Sequence, residues 1–305
     1  MNEHSYTTEE IATMLKVSKL TVYDLIKKGE LPAYRVGKQM RVDSEGLNMY
    51  KQRNRMSYEV DKRDMASSPA SNPSSIIISG QDMCLDLLGS QLEATSGIKT
   101  LRSNQGSLNS LISMYQGRGD IVSVHLFDGQ TGQYNLPYIK RILTGRSYIV
   151  VNLICRQAGF YVQKHNPKQL YSWKDLHKKN IKLVNREIGA GARILLDEQL
   201  DLHNISRESL IGYQHEETSH LSVASVVKQG KADVGVGIEK AAGILDVDFV
   251  PLIEERYDLV ILKTTENQSW IHHALSLLRS PEFKQELEAL GGYSTNYTGQ
   301  IMYEQ

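Results

Sequence analysis

Residues 7–42 read TTEEIATMLKVSKLTVYDLIKKGELPAYRVGKQMRV, and the apolar spacing in this stretch decides the fold of the N-terminus. Thr7 or Thr8 can cap a short helix whose first turn holds Glu9 and Glu10, the charge that a helix N-terminus favours. Ile11, Ala12 and Leu15 give that helix one apolar face. Val17 and Ser18 make a turn, and Ser18 can cap a second helix that points Val22, Leu25 and Ile26 inward and stops at Gly29. Leu31-Pro32 opens an extended segment, Val36-Gly37-Lys38-Gln39 is a tight hairpin turn, and Met40-Arg41-Val42 returns. Two helices, a tight turn and a hairpin predict a winged helix-turn-helix over residues 1–55. In such a unit the second helix can lie in a DNA major groove while the hairpin touches flanking backbone.

Charge agrees with that reading. The whole chain is neutral, with 35 basic and 35 acidic side chains. Residues 16–55 nevertheless hold ten basic residues against the acidic Asp24, Glu30, Asp43 and Glu45. A basic module on a neutral body suits phosphate contact. The segment resembles the excisionase/MerR-type helix-turn-helix family through Thr8-Glu9-Glu10-Ala12, Val17-Ser18, Thr21-Val22-Tyr23, Ile26, Gly29-Glu30-Leu31-Pro32 and Arg35-Val36-Gly37. Lys19, Thr21 and Val22 are the candidates to face the groove. Ser18, Tyr23, Lys27, Arg35, Lys38 and Arg41 are candidates for phosphate or flanking contacts.

Beyond a further helix at 43–55, residues 56–75 lose periodicity and include SSPASNPSS, which reads as a linker. No run of 18 apolar residues suggests a membrane span, and the polar N-terminus does not read as a signal peptide. Cys84 and Cys155 sit in apolar stretches as expected of free thiols in a reducing compartment, so a cytoplasmic location is expected. From Ile76 onward strands and helices alternate in two series. Extended segments near 148–162 and 253–263 separate them. This α/β pattern predicts two mixed lobes, lobe one at about 76–150 and 256–305, lobe two at about 151–255, closing on a ligand by hinge motion.

Ligands in such folds sit beyond the carboxyl ends of the strands, where helix N-termini point. Four loops there share one chemistry. They offer Ser79, Gln81 and Asp82; Arg102, Ser103, Gly106 and Ser107; Asn185, Arg186, Gly189, Ala190, Gly191, Ala192 and Arg193; and Glu217, Thr218, Ser219 and His220. Small residues let backbone N–H groups approach a ligand, hydroxyls add donors, and the arginines add positive charge, a set suited to a small anion. His125 follows a strand at the cleft edge, where ligand contact and core packing are both open. Tyr257 in the returning crossover faces either hinge or ligand. The spacing of His215, His220, Glu216 and Glu217 does not match a helical metal pair, and no bare cation is expected.

Residues 76–305 resemble the periplasmic-binding-protein-like (type II) domains fused to helix-turn-helix modules in bacterial and archaeal one-component regulators, relatives of molybdate- and tungstate-binding proteins. The carrying motifs are SGQDMCLDLL, RSNQGSLNSL, VHLFDGQTGQYNLPYI, VNREIGAGARILLD and GYQHEETSHLSVASVVKQGKADVGVG. The resemblance implies a transcription regulator that is not an enzyme, has no cofactor, and takes molybdate or tungstate as effector. Its expected partners are that oxyanion, an operator in double-stranded DNA and a second copy of itself, with no membrane. The alternatives are an anion-binding protein merely tethered to DNA, a sensor of another small anionic metabolite, and an enzyme built on the same fold.

Overall fold

The computed structural model describes residues 5–15, 18–27, 31–37, 39–44, 46–47, 50 and 75–305. Val17 in the turn, Gly29 as helix stop, Lys38 in the hairpin, most of the helix at 43–55 and the linker up to residue 74 lie outside them. Two units are distinguished, Met1–Ala70 and Ser71–Gln305.

In the first unit, β1 (Ser5–Thr7) leads into α1 (Thr8–Leu15), α2 (Lys19–Lys27) and the hairpin β2 (Tyr34–Val36) and β3 (Gln39–Asp43). Thr7 is the cap. Its hydroxyl accepts the Glu10 N–H at 3.3 Å, while Glu10 Oε2 accepts the Thr7 N–H at 2.8 Å, a reciprocal capping box. Ser18 Oγ accepts the Thr21 N–H at 3.1 Å and starts α2 as expected. Gly37, with φ of 62°, makes the hairpin turn. Strand β1, unforeseen in the sequence, adds antiparallel to β3. Ile11, Val22, Leu31, Val42 and Leu47 form the core.

The second unit is built on one mixed sheet. Its strands are β4 (Ser75–Ser79), β5 (Lys99–Ser103), β6 (Ile121–Val124), β9 (Tyr148–Val162), β10 (Leu183–Arg186), β11 (Glu216–Glu217), β12 (Val234–Ile238), β13 (Asp248–Leu262) and β14 (Ile301–Glu304). They run in the order β11-β10-β12-β9-β13-β6-β4-β5, with β14 also on β9. The short hairpin β7 (Phe127–Asp128) and β8 (Gln133–Tyr134) stands apart. Helices α3 (Cys84–Ser96), α4 (Ser107–Tyr115), α5 (Leu136–Ile142), α9 (Gln268–Arg279) and α10 (Pro281–Ala289) belong to lobe one. Helices α6 (Gly191–Leu202), α7 (His220–Lys228) and α8 (Glu239–Leu245) belong to lobe two.

Within the sheet, the parallel strands β4, β5 and β6 on one side and β10, β11 and β12 on the other are linked through β9 and β13. These two strands of 15 residues each pair antiparallel along their whole length, from Asp248↔Val162 to Leu262↔Tyr148. Each serves both lobes. The first crossing therefore lies inside β9, several residues beyond the boundary at 150 expected from sequence. Apolar clusters cover both faces of the sheet in each lobe. One of them, around Leu195 and Phe160, also takes in Phe127 and Tyr134 of the β7–β8 hairpin.

Candidate functional site

At the midpoint of the β9–β13 ribbon, Glu255 is the register partner of Arg156. Both side chains are buried, 1% and 4% exposed. Arg156 Nε donates to Glu255 Oε1 at 2.7 Å, and its Nη1 pairs with Asp82 Oδ2. Asp82 is held further by the Tyr293 hydroxyl at 2.6 Å and by the Cys84 N–H at 2.8 Å, which fixes the start of α3. Burial alone would raise the Glu255 carboxyl, but Arg156 and His125 outweigh it and hold it down at about 2. Asp82 is likewise lowered, burial being overcome by Arg156. His125 Nδ1 lies 2.9 Å from Glu255 Oε2, without the alignment of a good hydrogen bond. Tyr257 stacks under the Arg156 guanidinium at 4.5 Å, and its hydroxyl shares a hydrogen bond with Ser123 Oγ at 2.7 Å.

This network floors a cleft between the lobes. Gln81, Asp82, Arg102, His125, Arg186, Thr218, Ser219, His220 and Tyr257, all named from sequence, line it. Arg156, Lys240 and Tyr293 line it too, and the sequence reading missed them. Four basic side chains face two carboxylates in the lining, with Glu187 and Glu255 behind Arg186 and Arg156. Arg186 reaches across the cleft: its Nη2 donates to Gln81 Oε1 at 2.7 Å, and Gln81 Nε2 donates to Glu187 Oε1 at 3.1 Å. On the other flank, Lys240 Nζ donates to Leu290 O at 2.6 Å and sits over the Tyr293 ring.

Helix α7 opens at the cleft. Ser219 caps it by accepting the Ser222 N–H at 3.0 Å. The N–H groups of His220 and Leu221 have no partner among the described residues, and both residues line the cleft. Arg186 Nη2 donates to Thr218 O at 3.2 Å, bringing a fixed cation beside that helix end. His220 Nδ1 is buried without a partner. Burial first, then the charges of Arg186 and Arg156, push its pKa well below the ordinary value, so the ring is neutral at pH 7.

The remaining expected ligand contacts lie outside the cleft lining. Ser79 is buried beneath Ser123, which donates to its carbonyl. Ser103 uses its carbonyl for the Gly80 N–H. Gly106 backs onto Gly189, where a Cβ would lie 2.8 Å from the Gly189 carbonyl, and that carbonyl accepts the Leu108 N–H at 3.2 Å. The glycine loop thus caps α4 across the lobes. Gly191 fits against the His125 ring, with only 2.4 Å available for a Cβ. Ala190 and Ala192 are buried, Ala192 in the core of lobe two. Ser107 Oγ faces the His125 N–H, and Asn185 bonds Tyr213 O. Arg193 turns to Asp197, Glu216 and the Tyr213 ring, and Glu217 offers its carbonyl to Arg186. Gly106 and Gly191 thus allow close packing between the lobes.

On the first unit, α2 exposes Ser18, Lys19, Thr21, Tyr23 and Lys27, and the hairpin exposes Arg35. Lys19 pairs with Glu9, Arg35 Nε donates to Gly37 O, and Arg41 reaches Ser5 Oγ. Val22 is 0% exposed and belongs to the core, so it cannot face a groove. Its inward position follows from its spacing with Leu25 and Ile26. Lys38 lies outside the described residues.

Residues 89–279 match the PBP superfamily domain. The chain belongs to the PBP superfamily. Residues 5–55 match a helix-turn-helix domain of the excisionase type, so this superfamily member carries a DNA-binding head. The Bacillus subtilis (strain 168) protein YvgK is 51% identical over 310 residues, covering 100% of both chains. Two solved structures share the PBP fold. The ancestral amino acid-binding protein AncCDT-1, a precursor of cyclohexadienyl dehydratase, aligns over 71% of this chain and 94% of its own, with a TM-score of 0.53 at 16% identity. The sulfate-binding protein SubI from Mycobacterium tuberculosis H37Rv aligns over 72% and 86%, with a TM-score of 0.53 at 14% identity. At these identities the likeness is one of fold.

Proposed function

We propose that this protein is a ligand-responsive transcription regulator whose PBP-like cleft binds a small anion and whose helix-turn-helix binds an operator. The observation that carries the reading is the cleft itself. It lies on the ribbon joining the lobes, and α7 presents open N–H groups to it beside Arg186. Fold relatives bind sulfate in one case and amino acids in another, so the fold leaves the anion open. Molybdate and tungstate are the effectors that the sequence resemblance implies. The regulator acts as a dimer, because one head of this size makes few base contacts and paired heads meet paired half-sites. A ligand that moves the lobes from mostly open to mostly closed must prefer the closed state by roughly 5.5 kcal/mol.

Two measurements test this. Duplexes selected from a random pool by the full chain are assayed by fluorescence anisotropy over a salt series. Arg35→Ala with Arg41→Ala should weaken binding and flatten the salt slope by about one for each lost phosphate contact. Wild-type affinity and slope in that double variant would refute DNA recognition through this head. A thermal-shift panel of molybdate, tungstate, sulfate, phosphate and amino acids then ranks the effectors. A ligand at about 100 times its Kd adds roughly 2.7 kcal/mol.

A further inference from the structure

The cleft carries a chemistry that a bare oxyanion does not use. Met83, Leu221 and Ile244 are 45%, 43% and 60% exposed, and all three line it, with Ala241 and Ile238 beside them. They come from three elements, the start of α3, the start of α7 and the end of α8, so the grouping is not one helix's loose face. The cleft, open on one side, offers about 410 Å³. A tetrahedral oxyanion fills roughly two to three waters' worth of that, at about 30 Å³ each. Hydrocarbon against such an ion replaces its hydration with nothing that donates a hydrogen bond. Cavities of this size with apolar walls and a few convergent polar groups fit organic ligands.

We infer that the ligand is an organic anion: a carboxylate or sulfonate seated at the N-terminus of α7, with an apolar body against Met83, Leu221 and Ile244. The inference rests on the sensor reading above and names the chemical class of its effector. The headgroup finds the open N–H groups of His220 and Leu221, the unpartnered His220 Nδ1 and the charge of Arg186. Leu221 supplies both a backbone donor and an apolar side chain, which joins the two halves at one residue.

The probe is 8-anilinonaphthalene-1-sulfonate, a sulfonate on an aromatic body, titrated into the full chain while its fluorescence is followed. One saturable site is expected. Met83→Gln and Ile244→Gln, which keep the charge of the cleft and alter exposed positions, should each weaken it about tenfold, the discrimination an apolar contact provides. Circular dichroism checks that both variants fold. Absence of a saturable site, or a site unmoved by both substitutions, overturns the inference. A parallel thermal-shift series with molybdate, tungstate, sulfate and phosphate separates the two levels. If the fluorophore site fails while an inorganic anion stabilises the chain, the sensor reading stands and the organic class falls. If neither binds, both fall.

Discussion

Arg156 is the side chain on which the cleft floor depends. Replacing it with Met keeps volume but takes from the buried Asp82 and Glu255 the guanidinium they share. Removing one partner of a buried ion pair typically costs 3–5 kcal/mol, so Arg156→Met should lower the urea midpoint by about that equivalent. A midpoint within about 1 kcal/mol of wild type would mean that water reaches both carboxylates. His220 makes a separate prediction with a definite sign. Its folded pKa is depressed, so below the unfolded value of about 6.5 the unfolded chain takes up a proton that the folded chain refuses. The stability contribution is therefore full above about pH 6.5 and declines as pH falls below it. Glu255, held at about 2, loses its contribution only at lower pH, beneath the unfolded carboxyl range. Melting temperatures between about pH 7 and pH 5 sample histidine titration above the carboxyl range. His220→Asn should flatten the curve in that window, and an unchanged slope would place the proton elsewhere. Arg186 and Asp82 were legible as site residues because they lie in loops at strand ends. Arg156 and Glu255 were not, because they sit 99 residues apart inside long apolar strands, and only the antiparallel register makes them neighbours.

The two helices of the head were readable from apolar spacing and caps, and Ser18 at the start of α2 is an instance. Thr7→Ala removes one half of a capping box and should cost about 1 kcal/mol, read as a fall in the thermal midpoint of the N-terminal unit. Of the two extended segments expected near 148–162 and 253–263, the second begins earlier, at Asp248. Gly159 and Pro251, which look like interruptions, face each other in the ribbon, where Gly159 lets the backbones approach. A Cβ at Gly159 would lie 2.0 Å from the Val250 carbonyl. Gly159→Ala should therefore destabilise the ligand-binding unit by about 1–3 kcal/mol, the usual cost of overpacking. Urea titration followed by tryptophan fluorescence measures it, since Trp173 and Trp270 lie one in each lobe. Short elements such as α5, α8 and the β7–β8 hairpin left no period long enough to read, and packing against neighbours defines them.

Across the second unit, the alternation of strands and helices announced two lobes, and the resemblance to binding proteins gave their plan. What the sequence left hidden was how little chain joins them. Both ends of this unit, β4 and β14, belong to lobe one, while lobe two begins and ends on β9 and β13. At the far end of that ribbon Val162 stands opposite Asp248, paired as the last rungs of an antiparallel ladder. In terms of connectivity, lobe two is an insertion on the tip of a β-hairpin. A two-residue turn joining Val162 to Asp248 would close that hairpin and leave lobe one's strand order untouched. Residues 163–247 thus hang from lobe one by a single seam and carry Arg186, Thr218, Ser219 and His220 to a cleft whose opposite wall, Gln81, Asp82 and Arg102, stays behind.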